Sequence, residues 1–173
     1  MNRPLRVSLL ASLLFAGLQI VAPPPAQAAS PARAKTHAVV EGPYSATADA
    51  GAEVRQALEQ ARRNQRPVLV FFGANWCEDC RSLARSLELP GNAGLMARDF
   101  NVVKVDVGDF DRNLDVVDQL GGPIAKGIPA AVLLAPDGSI RYSTKAGELS
   151  TARRMSDEGV HDFFAGLVAD GRG

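Results

Sequence analysis

The sequence is short of the residues that many function classes require. Among its 173 residues are two cysteines, Cys77 and Cys80, and two histidines, His37 and His161. Two cysteines cannot form a disulfide framework, and two histidines are too few for a histidine-rich metal enzyme. Charge of one sign is not in excess, since Lys+Arg and Asp+Glu number 19 each. Phosphate binding needs a basic surplus, so nucleic acid is not expected as a ligand. Apolar residues at 46% and charged residues at 22% are ordinary for a globular domain, which excludes a disordered or fibrous chain.

Long apolar runs are also scarce. Residues 7–22 form one, interrupted by Ser8, Ser12 and Gln19, and it falls short of the ~20 residues a membrane span needs. Arg3 and Arg6 precede it, Pro23-Pro24-Pro25 ends it, and Ala26-Gln27-Ala28 supplies small residues at cleavage positions. That layout predicts a secretory signal peptide over residues 1–28, cut after Ala28. Export places the thiols in an oxidising compartment, where Cys77 and Cys80 are expected to cycle through or rest as a disulfide.

Residues 29–48 are rich in Ala, Pro, Ser and Thr without a period and read as a flexible lead to a domain over 49–170. From Asp49 a helix is predicted, with Val54, Ala57, Leu58 and Ala61 at i, i+3, i+4 and i+7. Val68-Leu69-Val70-Phe71-Phe72 is a continuous apolar run that suits a buried central strand. Trp76-Cys77-Glu78-Asp79-Cys80 follows, then a helix to about Leu89 that Pro90-Gly91 should stop. Residues 100–106 read as a second strand, and Asp111 as the cap of a short helix. Residues 130–135 and 140–144 flank Pro136-Asp137-Gly138-Ser139, a hairpin turn. Ser156 opens a final helix with Phe163, Phe164, Leu167 and Val168 on one face. Strands separated by helices need crossovers, so the first two should run parallel, with an antiparallel hairpin added at one side.

A Cys-x-x-Cys pair alone is ambiguous, and its placement sharpens it. Cys77 lies between strand and helix, so its sulfur should meet the unpaired N–H groups and the positive dipole end of the helix. Such sites lower a thiol pKa from about 8.5 to roughly 3.5–7.5. Cys77 is then the nucleophile that attacks a substrate disulfide, and Cys80, one turn on, resolves the mixed disulfide. An inert structural disulfide is the bland alternative, but so short a loop stabilises little. Cu(I) capture by two thiolates is another alternative, although no Met or His cluster stands nearby. Trp76 on the turn should cover the sulfurs and form an apolar docking face, with a core aromatic as the duller possibility.

The stretch from Val68 to Leu83 (VLVFFGANWCEDCRSL) resembles the active-site strand, turn and helix of thioredoxins, and more closely the exported thioredoxin-like proteins of bacteria. Gly127-Ile128-Pro129 before a strand, and Gly147 in Lys145-Ala146-Gly147-Glu148-Leu149, are further matches, and the resemblance spans about Val54 to Val168. It implies an α/β thioredoxin fold, a central mixed sheet flanked by helices. It further implies that Pro129 follows a cis peptide bond facing the cysteines, that Ile128 pairs with the substrate chain, and that Gly147 flanks the substrate groove.

Three departures from the family pattern bear on the chemistry. Phe71 stands where many thioredoxins bury an aspartate that assists the resolving thiol. Water, Lys104 on the neighbouring strand or an acid of the active-site turn would substitute, or resolution slows; Lys104 reads equally well as a structural lysine. Glu78 and Asp79 replace the usual Gly-Pro. Taken as solvated, they oppose the Cys77 thiolate modestly and lean the centre toward a reductant. Residues 151–159 are an insertion after the groove glycine, read as a solvated loop with a partner contact as the alternative, and Arg153-Arg154 as a solvated doublet.

The expected function is that of a periplasmic thiol–disulfide oxidoreductase, a reductant of protein or peptide disulfides. It is expected to be a monomer with no metal and no cofactor beyond the Cys77–Cys80 disulfide, recharged by a membrane electron donor. A disulfide oxidase or isomerase, or a Cu(I)-carrying or binding module on the same fold, are the alternatives.

Overall fold

A computed structural model describes residues 42–170. The expected signal peptide, 1–28, and residues 29–41 of the expected lead lie outside the described residues.

The apolar run becomes β1 (Val68–Gly73), in which every residue is buried. It pairs in parallel with β2 (Asn101–Asp106), setting Phe71 opposite Lys104 and Gly73 opposite Asp106. On its other side it pairs antiparallel with β3 (Ala130–Leu134), which pairs antiparallel with β4 (Ile140–Ser143). The order β2-β1-β3-β4 gives the mixed sheet that the strand and helix alternation predicts. It has one consequence for the site. Phe72 lies opposite Ala130, so the residues leaving β1 run beside those entering β3.

Among the described residues, five α-helices flank the sheet. α1 (Ala50–Asn64) is capped by Asp49, whose carboxylate accepts the Ala52 N–H at 2.8 Å, and it buries Val54, Ala57 and Ala61 against β1 and β2. α2 (Glu78–Glu88), α3 (Pro90–Asp99) and α5 (Asp157–Asp170) pack on one another. Phe164 of α5 meets Phe71 edge to face, ring centroids 5.5 Å apart, and is fully buried. α4 (Leu114–Gln119) is short and buries Val116 and Val117.

Several local expectations are corrected. Pro90 ends α2, yet it also begins α3. Its missing N–H costs nothing at a first helical position, so one proline serves as stop and start. The cap of α4 is Asn113, in the left-handed conformation that asparagine tolerates, while Asp111 accepts the Asp109 N–H at 3.0 Å instead. The lead is anchored before residue 49. Tyr44 is buried, its N–H donates to Asn75 Oδ1 at 3.0 Å, and its carbonyl accepts from Asn75 Nδ2 at 2.8 Å.

A polar node joins the three packed helices. Asn92 of α3 donates to the Ser86 carbonyl at 2.9 Å and the Asp157 carbonyl at 3.2 Å, while its Oδ1 lies 3.1 Å from His161 Nδ1. Ser86 Oγ donates to Asp157 Oδ1 at 2.8 Å. Ser86 and Asn92 are buried, as such groups can be when their hydrogen bonds are made.

Candidate active site

β1 ends at Gly73, and a turn of Ala74, Asn75 and Trp76 leads into α2. Cys77 closes that turn with an N–H to the Ala74 carbonyl at 3.1 Å and serves as the N-cap of α2. Its Sγ accepts the Cys80 N–H at 3.1 Å, so the sulfur occupies the place where a capping oxygen normally sits. A partial negative charge there is favoured by the free N–H groups and the helix dipole. Cys77 and Cys80 are disulfide-bonded. Cys77 keeps 6% of its surface exposed and Cys80 none, which distinguishes an outer from an inner sulfur.

The antiparallel register of β1 and β3 brings the loop before β3 against that sulfur. The Ile128–Pro129 peptide bond is cis, and the Ile128 carbonyl oxygen lies 3.6 Å from Cys77 Sγ. Ile128 and Pro129 are buried. Gly147 has φ of 88°, and a Cβ there would come within 3.1 Å of Lys126 Cβ and 3.2 Å of Ser150 Oγ. Its freedom therefore lets its turn pack close to the segment preceding Pro129. Trp76 is 49% exposed, and its indole N–H donates to the Gly108 carbonyl at 2.9 Å.

Phe110 completes an aromatic face that the sequence did not reveal. It is exposed, meets Trp76 with ring centroids 6.1 Å apart, and has φ of 63°, which bulky residues rarely adopt. The only available sign was an aromatic among turn-forming residues in Gly108-Asp109-Phe110-Asp111.

Two expectations about charge are corrected. Glu78 is exposed as expected, but Asp79 is buried. Its Oδ1 accepts the Arg153 backbone N–H at 2.9 Å, and its Oδ2 pairs with Arg153 Nη1 at 2.9 Å. Arg153 Nη1 also stands 3.7 Å from Glu78 Oε2. The 151–159 segment is thus more than a solvated loop. A 3-10 turn, Ala152–Arg154, packs on α2, and Ala152 is buried. Burial of Asp79 is tolerable because its charge is paired and both oxygens are bonded. Lys104 forms no hydrogen bond or ion pair with either cysteine. It borders a groove with Phe71, Leu87, Met96, Phe100 and Val102.

Fold and site together define a thioredoxin-fold protein with a dithiol–disulfide centre at the mouth of its second helix. The family described as thioredoxin-like matches residues 49–136, just over half the chain, and the protein belongs to that family. A solved structure described as a disulphide isomerase from Xylella fastidiosa Temecula1 is 51% identical, with a TM-score of 0.73. The match covers 74% of this chain and 98% of that one. A protein disulfide-isomerase of Schizosaccharomyces pombe is 30% identical over 99 residues, 56% of this chain, which spans only 26% of that relative's length.

Proposed function

We propose that the protein is a thiol–disulfide oxidoreductase that acts on disulfides of polypeptide substrates. The observation that carries this is the outer sulfur of Cys77, at the N-cap of α2 and 3.6 Å from the carbonyl that precedes cis-Pro129. A 51%-identical structure described as a disulphide isomerase supports it.

In the dithiol form the Cys77 thiolate attacks one sulfur of a substrate disulfide. An S–S bond forms to Cys77, the substrate's own S–S bond breaks, and its departing sulfur takes up a proton. Cys80 then loses its proton, bonds to Cys77 and releases the second substrate sulfur as a thiol. Two electrons pass to the substrate, and the protein is left as the disulfide. Ile128 holds the substrate backbone beside Pro129, Gly147 keeps the adjacent turn low, and Trp76 with Phe110 meets apolar side chains around the substrate cysteine. With phenylalanine at position 71, Lys104 unbonded to the cysteines and Asp79 held by Arg153, water or the exposed Glu78 is left to take the Cys80 proton.

The direction we propose is reduction, on a narrower basis than the sequence offered. Glu78 remains exposed beside the sulfur, whereas the Asp79 charge is compensated by Arg153. The signal-like residues 1–28 support a periplasmic site of action, where a membrane electron donor would restore the dithiol. The test is turnover of insulin disulfides with a small thiol as donor. Cys77→Ser should abolish it, and Cys80→Ser should accumulate a mixed disulfide with the substrate. Turnover that survives Cys77→Ser would overturn the exchange function. A reduction potential near about −120 mV, typical of strong oxidants, would overturn the direction.

A further inference from the structure

Cys77 shares the first turn of α2 with two carboxylates, Glu78 and Asp79. Negative charge at a helix N-terminus is ordinarily welcome, but here it competes with a thiolate for the same N–H groups and the same dipole. One of these carboxylates is held in an unusual way. Asp79 is 9% exposed, and both its oxygens are engaged by a single residue 74 positions along the chain. The Arg153 backbone N–H takes one oxygen and its guanidinium the other, each at 2.9 Å. The turn that carries Arg153 is itself fixed, because Leu149 and Ala152, which lead into Arg153, are buried. The guanidinium also reaches to 3.7 Å from Glu78. One cation therefore faces both acids of the active-site turn.

We infer that Arg153 is a positioning residue of the redox centre: by clamping Asp79 and facing Glu78, it offsets the negative charge beside Cys77 and sets how readily that sulfur bears its own. The inference rests on the exchange function proposed above. In the disulfide form Cys77 carries no charge, whereas in the dithiol form its thiolate does. Only the reduced state feels the acids, so the Arg153 charge stabilises the dithiol relative to the disulfide. Removing that charge while leaving the backbone N–H in place should destabilise the thiolate and tilt the redox equilibrium toward the disulfide. Neutralising Asp79 while leaving Arg153 should do the opposite. A purely structural clamp predicts no such reversal of sign, since both changes break the same ion pair.

The experiment has two readouts on the full chain. The first is the equilibrium between dithiol and disulfide in glutathione buffers. The second is thiolate absorbance against pH in a Cys80→Ser background, where one thiol titrates and no turnover is needed. Arg153→Met should shift the glutathione equilibrium at least threefold toward the disulfide, and about tenfold corresponds to roughly 30 mV. It should also move the Cys77 titration to higher pH. Asp79→Asn should shift both readouts the other way, and Arg153→Lys, which keeps the charge, should stay within threefold of wild type. A titration unchanged in Arg153→Met, or moved in the same direction by Arg153→Met and Asp79→Asn, would overturn the inference. Failure of wild type to turn over insulin would instead strike the exchange function, because the single-thiol titration is independent of substrate.

Discussion

Gly73→Ala tests how the chain before α1 fixes the active-site turn. Gly73 is the last residue of β1, buried, and three positions before Trp76. Its backbone needs no left-handed conformation, so alanine meets no conformational penalty there. Space decides the outcome. A Cβ at this position would overlap Cζ and Oη of Tyr44 and come within 2.8 Å of its Cε1. Tyr44 cannot simply turn aside, because the residue is only 4% exposed and both its backbone N–H and its carbonyl are held by Asn75. Overpacking of this kind costs about 1–3 kcal/mol. If the ring is expelled, the loss is that of one buried aromatic, again about 2–3 kcal/mol. We therefore expect Gly73→Ala to destabilise by about 2–3 kcal/mol in urea unfolding with unchanged m. Tyr44→Ala alone should cost about 3 kcal/mol or more. In the Tyr44→Ala background the same Gly73→Ala change should cost under about 0.5 kcal/mol, an interaction energy of about 2 kcal/mol. Simple additivity of the two changes would refute the steric account.

Two further outcomes follow from the same structure. Asn92→Ala removes the donor shared by the Ser86 and Asp157 carbonyls and should cost about 2 kcal/mol in urea unfolding; a loss under about 0.5 kcal/mol would show that the helices hold without the node. Burial, and after it the Asp106 carboxylate, raise the Tyr44 phenol pKa well above its ordinary value near 10. The unfolded chain then loses that proton first, so the stabilisation is whole below about pH 10 and is lost as pH rises beyond it. Tyr44→Phe cannot titrate, and its urea midpoint should fall less steeply than that of wild type between about pH 9.5 and 11; parallel curves would refute this.

The parts that were legible in the sequence are those written in local pattern. Val68 to Phe72 is too apolar to lie anywhere but inside, and the alternation of strands and helices then dictates a parallel first pair. Cys77 announces its place because a strand ends just before it and a helix begins just after it. The unread parts depend on pairings across long stretches of chain. Asp79 was expected in solvent because a lone aspartate belongs there, and only the fold brings Arg153 to it. Tyr44 stood in a segment without period, so nothing local marked it as core. Pro90 carried two meanings, and the proline itself does not choose between ending a helix and beginning one.

α2 is eleven residues long, roughly 16 Å from end to end. One end is tethered through Asp79 to the 3-10 turn, and the other is tied through Ser86 to the two helices beneath it. A rod pinned at both extremities can neither slide nor roll. When Cys77 exchanges one sulfur partner for another, the helix is thus a fixed anvil, and the adjustment falls to side-chain rotation and to the visiting polypeptide.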